Sequence, residues 1–182
     1  MSSRILLFDP AERFVVGTVG VPGERTFFIQ AREKNRLVSV SLEKAQVSAL
    51  ADRILQILRE VRSSEPLTTF ERVVGDDQPL ESPIDEEFRV GVIGLAYVSD
   101  RALIEIDMQA IAESQFESDE LIEIDTEGDQ DILRVLLPLG YAESFAKRAN
   151  IVVGAGRVPC PFCGGPIDPA GHLCPRANGY RR

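Results

Sequence analysis

All three cysteines and the only histidine of this 182-residue chain fall between positions 160 and 174. The stretch reads C160-P-F-C163-G-G-P-I-D-P-A-G-H172-L-C174. Four thiolate or imidazole groups on two short arms are what tetrahedral zinc requires, and the arm spacing suits it. A Cys-x-x-Cys-Gly turn lets backbone N–H groups point at the first sulfurs, and Gly164 permits the sharp reversal after the second thiolate. On an extended arm, His172 and Cys174 are one residue apart and project to the same side. Cys160, Cys163, His172 and Cys174 are therefore expected to hold one structural Zn2+ with no open coordination position. A Cys160–Cys163 redox pair is the competing reading.

The rest of the chain alternates strands with two helices. Arg13–Gly20 is β-like and ends at Pro22 and Gly23. Arg25–Arg32 and Leu37–Leu42 alternate around the turn Glu33-Lys34-Asn35, which predicts a hairpin with one face toward water. Ser41 is a candidate N-cap. Val47, Leu50, Ala51, Ile54, Leu58 and Val61 then recur at three- and four-residue steps, predicting a helix over Glu43–Arg62. Residues 63–87 carry Pro66, Pro79 and Pro83 and read as a connector. Strands are expected at Phe88–Val98, Ala102–Met108, Leu121–Asp125 and Ile132–Leu137. A second helix is expected over Pro138–Val153, with Tyr141, Phe145, Ala149 and Val152 on its apolar side and Gly154 and Gly156 at its end.

Gly17–Ile29 can be laid over Gly94–Ile104 with Arg25 opposite Arg101. The halves 1–62 and 88–157, joined by the linker 63–87, thus read as a duplicated β-β-β-α unit, against the alternative of chance alternation. The class is α+β: a largely antiparallel sheet packed by two helices over residues 1–157, followed by a zinc knuckle and basic tail at 158–182.

Charge is unevenly laid out. The net value is −9, which opposes association with nucleic acid. Glu105–Asp131 contains carboxylates and no Lys or Arg, whereas Lys147, Arg148, Arg157, Arg176, Arg181 and Arg182 face only Asp168. Arg176, Tyr180, Arg181 and Arg182 form a candidate clamp for an anion or a protein partner, and a solubilising tail is the alternative. The alternating Asp125, Glu127, Asp129 and Asp131 lack the Gly and terminal Glu of a calcium loop and read as a solvated turn. Val152–Arg157 resembles a dinucleotide fingerprint but follows a helix where a strand is needed. With His172 on metal, no histidine remains as a general base.

The opening MSSRILLFD is too short in its apolar run for a secretory leader, and no stretch approaches the roughly 20 apolar residues of a membrane span. A cytoplasmic protein with no membrane partner is expected. The leading functional expectation is a non-catalytic adaptor recruiting a protein through the knuckle and tail. One alternative is an enzyme or enzyme subunit acting on a phosphorylated small molecule, with Arg25, Arg32, Arg101 and the tail arginines as anion ligands and Asp100 or Asp107 as base. Another is nucleic-acid binding.

The string CPFCGGPIDPAGHLCPRANGYRR, with VSLEKAQVSALADRI at the long helix, resembles an actinobacterial family of conserved proteins defined by a domain of unknown function. The resemblance spans nearly the whole chain. It implies the same four metal positions and the Arg176–Arg182 tail. It also implies encoding near a phosphoglycerate-mutase-like phosphatase and a protein similar to phosphoinositide kinases, which suggests a pathway with phosphorylated molecules. It supplies no catalytic residues.

Overall fold

The structure is a computed structural model that describes residues 3–21, 23–111, 130–156, 160–165, 167, 172–174 and 176. Seven strands and two helices follow in the order β1 (Ile5–Phe8), β2 (Arg13–Val19), β3 (Thr26–Glu33), β4 (Arg36–Leu42), α1 (Lys44–Ser64), β5 (Glu86–Val98), β6 (Leu103–Ala110), β7 (Ile132–Pro138) and α2 (Leu139–Gly154). They form one sheet in the order β1-β7-β6-β5-β4-β3-β2. β2-β3-β4 and β5-β6-β7 are each antiparallel meanders followed by a helix, so two β-β-β-α runs lie side by side. They meet at a parallel β4–β5 pair. The fold is α+β, as the alternation implies. The proposed strand Leu121–Asp125, the acidic run before it, and Asp125, Glu127 and Asp129 lie outside the described residues.

The helices cover one face of the sheet. Phe14, Val16, Phe27, Ile29, Ala31, Val38, Val40 and Leu42 join Ile104, Ile106, Met108, Leu133, Val135 and Leu137 in a single core with both helices. Helix α1 contributes each residue of its three-and-four stripe, with Ile57 in addition. In α2, Phe145 packs on Phe14 at a centroid distance of 4.5 Å, and Ala149 is buried. Tyr141 departs from expectation and is exposed; the buried stripe passes through Leu139, Ala142 and Ala146 instead. The proposed cap is also displaced. Ser41 is buried within β4, and the helix begins after Glu43, whose N–H donates to Gln46 Oε1 at 2.8 Å. Strand β1 gave no sequence signal beyond a short apolar run. It pairs parallel to β7 and is anchored where Arg4 Nε donates to Asp131 at 2.9 Å.

The expected wet face of the β3–β4 hairpin is dry. Gln30, Ser39 and Ser41 are only 1%, 2% and 5% exposed. The connector after α1 covers them. Gln30 Nε2 donates to the Glu81 carbonyl at 2.9 Å, and the Glu81 N–H donates back to Gln30 Oε1 at 2.8 Å. The Ser41 hydroxyl donates to Glu86 at 2.6 Å. Leu80 rests over Gly17, where a Cβ would come within 2.6 Å of Leu80 Cγ. Arg13 Nε donates to Asp76 at 2.6 Å, and Arg148 donates to the carbonyls of Val16 and Gln78 at 2.7 Å each. Polar residues placed for solvent by their alternation thus bond the backbone of a strap without regular secondary structure. Each bond satisfies a group whose burial alone costs free energy.

Two measurements check the strap. A Cβ at Gly140 would stand 2.1 Å from the Glu71 carbonyl oxygen, so Gly140→Ala is expected to destabilise by about 2 kcal/mol in urea denaturation. Gly154→Ala, with nothing within 4 Å, should be neutral or slightly stabilising. Second, the Arg13 hydrogen bond, aided by the Gln78 N–H and by the charges of Arg13 and Arg148, holds Asp76 below the usual carboxylate range. A depressed carboxylate stabilises above its unfolded pKa, near 4, and that contribution fades as pH falls through the lower folded value. Asp76→Asn should therefore cost roughly 1 kcal/mol at neutral pH, allowing for solvent screening. As pH falls through that lowered folded value, its stability should converge on that of the unsubstituted chain.

Candidate metal centre

Helix α2 ends at Gly154, and Arg25 Nη1 donates to the Ala155 carbonyl at 3.1 Å, placing a cation at the helix's negative end. From there the chain leads to the cysteine segment. Its first arm closes on itself: the Gly164 N–H donates to the Cys160 carbonyl at 2.8 Å and the Cys160 N–H to the Gly165 carbonyl at 2.7 Å. Gly164 takes φ +75°, a left-handed conformation that a side chain would strain. This is the reversal its sequence position implies.

The ligand atoms of Cys160, Cys163, His172 and Cys174 all lie within 4.8 Å of one another. Cys160 and Cys174 Sγ are 3.7 Å apart, and Cys163 Sγ is 3.2 Å from His172 Nε2. A tetrahedral ion with metal–sulfur bonds of about 2.3 Å has sulfur–sulfur edges of about 3.8 Å. The four groups are therefore close enough to hold one metal ion. Cys160 and Cys174 are buried, while Cys163 and His172 are half-buried. All three cysteines are free thiols.

The backbone tunes the first arm. N–H groups of Cys163 and Phe162 pull the Cys160 thiol down to about 6, with further help from Cys174 and His172 against burial. The Gly165 N–H favours the Cys163 thiolate, but burial and the neighbouring Cys174 and Cys160 sulfurs outweigh it and raise Cys163. Crowded sulfurs that resist simultaneous ionisation are relieved by a cation, because metal binding displaces the protons.

Among the described residues, the structure does not bring the other proposed site residues together into one site. Arg25 serves the end of α2. Arg32 lies 3.1 Å from Glu81 and 3.8 Å from Glu12. Arg101 forms a two-pronged pair with Asp9 at 2.8 and 2.6 Å. Asp107 is held by Arg134 at 2.7 and 2.6 Å, and Asp100 is exposed in the β5–β6 turn. Arg25, Arg32, Arg101 and Asp107 thus each face a different partner group. Asp131, the last of the alternating acids, pairs with Arg4. Of the tail, Arg176 Nη1 donates to the Phe162 carbonyl at 3.2 Å; Tyr180, Arg181 and Arg182 lie outside the described residues.

Two further residues belong to the surface of the centre. Phe162 and Leu173 are 64% and 87% exposed, each placed between two ligands of its arm. The sequence carries a signal for them: ligands that converge on one point force the residue between them outward.

The chain belongs to the family described as "Protein of unknown function (DUF3090)", which it matches over residues 6–174. That span includes all four metal-ligand positions. No curated protein and no solved structure matches the chain.

Metal analysis of the purified protein is expected to give one equivalent of a divalent ion, and Cys174→Ser should reduce its affinity by roughly a hundredfold or more in chelator competition. The urea midpoint of the sheet should hardly move, since no hydrogen bond from Cys160–Cys174 reaches the strands or helices among the described residues. A substitution that leaves metal content unchanged would rule the site out.

Proposed function

We propose that this is a zinc-binding protein whose knuckle is a non-catalytic recruitment module for a protein partner in the cytoplasm. The observation that carries the reading is the combination of four convergent ligands with two exposed apolar side chains among them. Three thiolates and one imidazole form a common zinc set, and four protein ligands leave no position for an activated water. With the sole histidine of the chain in the ligand set, imidazole acid–base chemistry elsewhere has no donor. Zinc would instead give rigidity to a segment too short to build its own core.

Phe162 and Leu173 would then form a preorganised apolar pair, and Arg176, set against the Phe162 carbonyl, would add a cation beside it. Rigid apolar anchors lose little conformational entropy on binding, which favours them as contact points. A protein partner fits this surface better than nucleic acid. Leu173 offers no stacking plane, and the net charge of −9 opposes a polyanion. The thiolate ligands fit a compartment that keeps thiols reduced. No helix among the described residues is long and apolar enough to cross a membrane.

The test is affinity purification from the native cell with three versions of the chain. The intact protein should retain a partner that Phe162→Ala/Leu173→Ala loses by roughly tenfold or more, although that variant keeps its metal. Deletion of residues 158–182 should lose the same partner. A partner set unchanged by both alterations would remove the recruitment reading, and partners released by nuclease would replace it with nucleic-acid binding.

A further inference from the structure

The strap does more than cover the sheet. Where residues 70–77 pass along α2, they leave a groove with a volume of about 720 Å³, within the range of roughly 300–1,000 Å³ typical of small-molecule sites. We propose that this groove binds a small apolar monocarboxylate, with its body on Phe70, Val73, Ile151 and Val152 and its carboxylate at Arg72 and Ser144.

The apolar lining is oriented and partly uncovered. The Arg62 guanidinium lies 4.1 Å from the Phe70 ring centroid and fixes that ring. Ile151 is 71% exposed at the groove although it belongs to a packed helix. An apolar body laid there would remove this surface from water.

The polar lining decides the charge of the ligand. Most of it is already engaged. Glu143 receives Arg62 at 2.7 Å and Lys147 at 3.0 Å. Asp76 receives Arg13, and Arg148 is spent on the carbonyls of Val16 and Gln78. Glu71 accepts the Gly140 N–H at 3.1 Å. The side chains of Arg72 and Ser144 have no ion pair or hydrogen bond among the described residues. Both also line an adjoining hollow of about 350 Å³, so they stand where the two spaces meet.

One uncommitted guanidinium matches one negative charge. A dianion such as a phosphate monoester would add a second charge among Glu71, Asp76, Asp77 and Glu143, which repel it. A neutral ligand would leave the guanidinium unanswered. A planar carboxylate accepts two parallel N–H bonds from Arg and can take a third from a serine hydroxyl.

The intact metal-loaded protein should be titrated with decanoate, decanol and decyl phosphate by calorimetry. Decanoate is expected to bind most tightly of the three. Arg72→Gln should weaken it roughly ten- to hundredfold with an unchanged Tm, since Arg72 makes no ion pair or hydrogen bond among the described residues. Ile151→Asp, at an exposed position, should weaken it comparably. No heat with decanoate at millimolar concentration, equal affinity in Arg72→Gln, or tighter binding of decyl phosphate or decanol would each overturn the proposal. The variants leave the cysteine cluster untouched, so the outcome is separate from that of the zinc reading.

Discussion

The parallel junction between β4 and β5 is the constraint from which the rest of the fold follows. A strand that returns beside its predecessor in the same direction needs a crossover, because no tight turn can join the two. Here the crossover starts on one face of the sheet and ends on the other. Helix α1 runs back across the core face, after which the connector passes along α2 and around β2. It lies over Gly17 and Gln30 before Glu86 enters β5. Strand β2 has a neighbour on one side only, and its free carbonyl at Val16 accepts from Arg148. The crossover therefore also shields an edge whose open hydrogen-bonding groups would invite association.

This route explains what the sequence revealed and what it concealed. Stripes that one element buries against its neighbours were legible. The α1 residues Val47 to Val61 recur with the helical period because each meets the same core; β3, β4 and β6 show themselves by alternation, and β2, β5 and β7 by short β-rich apolar runs. Gln30, Ser39 and Ser41 misled because the same alternation arises whether a polar face meets water or meets backbone amides. A strap that satisfies them has no periodicity of its own, since its contacts are single carbonyls and N–H groups held by Arg13, Arg148 and Gln30. Strand β1 was hidden for a related reason: its register is set by β7, more than a hundred residues away in the chain. The metal site stood at the other extreme, because coordination chemistry restricts ligand type and spacing so tightly that four residues sufficed. The arginines proposed for a phosphate site had no such restriction. Arg25 bonds the end of α2, and Arg32 and Arg101 lie beside Glu81 and Asp9.

Two different physical devices thus order the parts of this chain that lack helix and strand. The strap is ordered by hydrogen bonds to a surface already rigid, so its geometry depends on the sheet. The knuckle has four ligand atoms close enough to share one metal ion, and its described contacts are internal: Cys160 with Gly165, Gly164 with Cys160, and Arg176 with Phe162. The distinction has a thermodynamic consequence. Loss of a metal bound there would release the knuckle without exposing core, whereas loss of the strap would leave Gln30 and Ser39 buried among apolar neighbours or newly wet.

Those devices also place one candidate binding surface along α2 and the other in the segment that follows its C-terminal end. The groove follows the helix from Gly140 to Val152, and the knuckle lies beyond Gly154. Arg25 bonds the last carbonyls of that helix, and the side chains of Arg25 and Lys44 come close enough to Gly156 that a Cβ there would lie within 4 Å of both. Arg25, just before β3, thus ties down the end of α2, while the groove is walled by the crossover. A ligand in the groove would press on the strap and on Ile151 and Val152, one turn from that root. Among the described residues, helix α2 both lines the groove and leads into the knuckle, so its last turn is the direct link between the two surfaces.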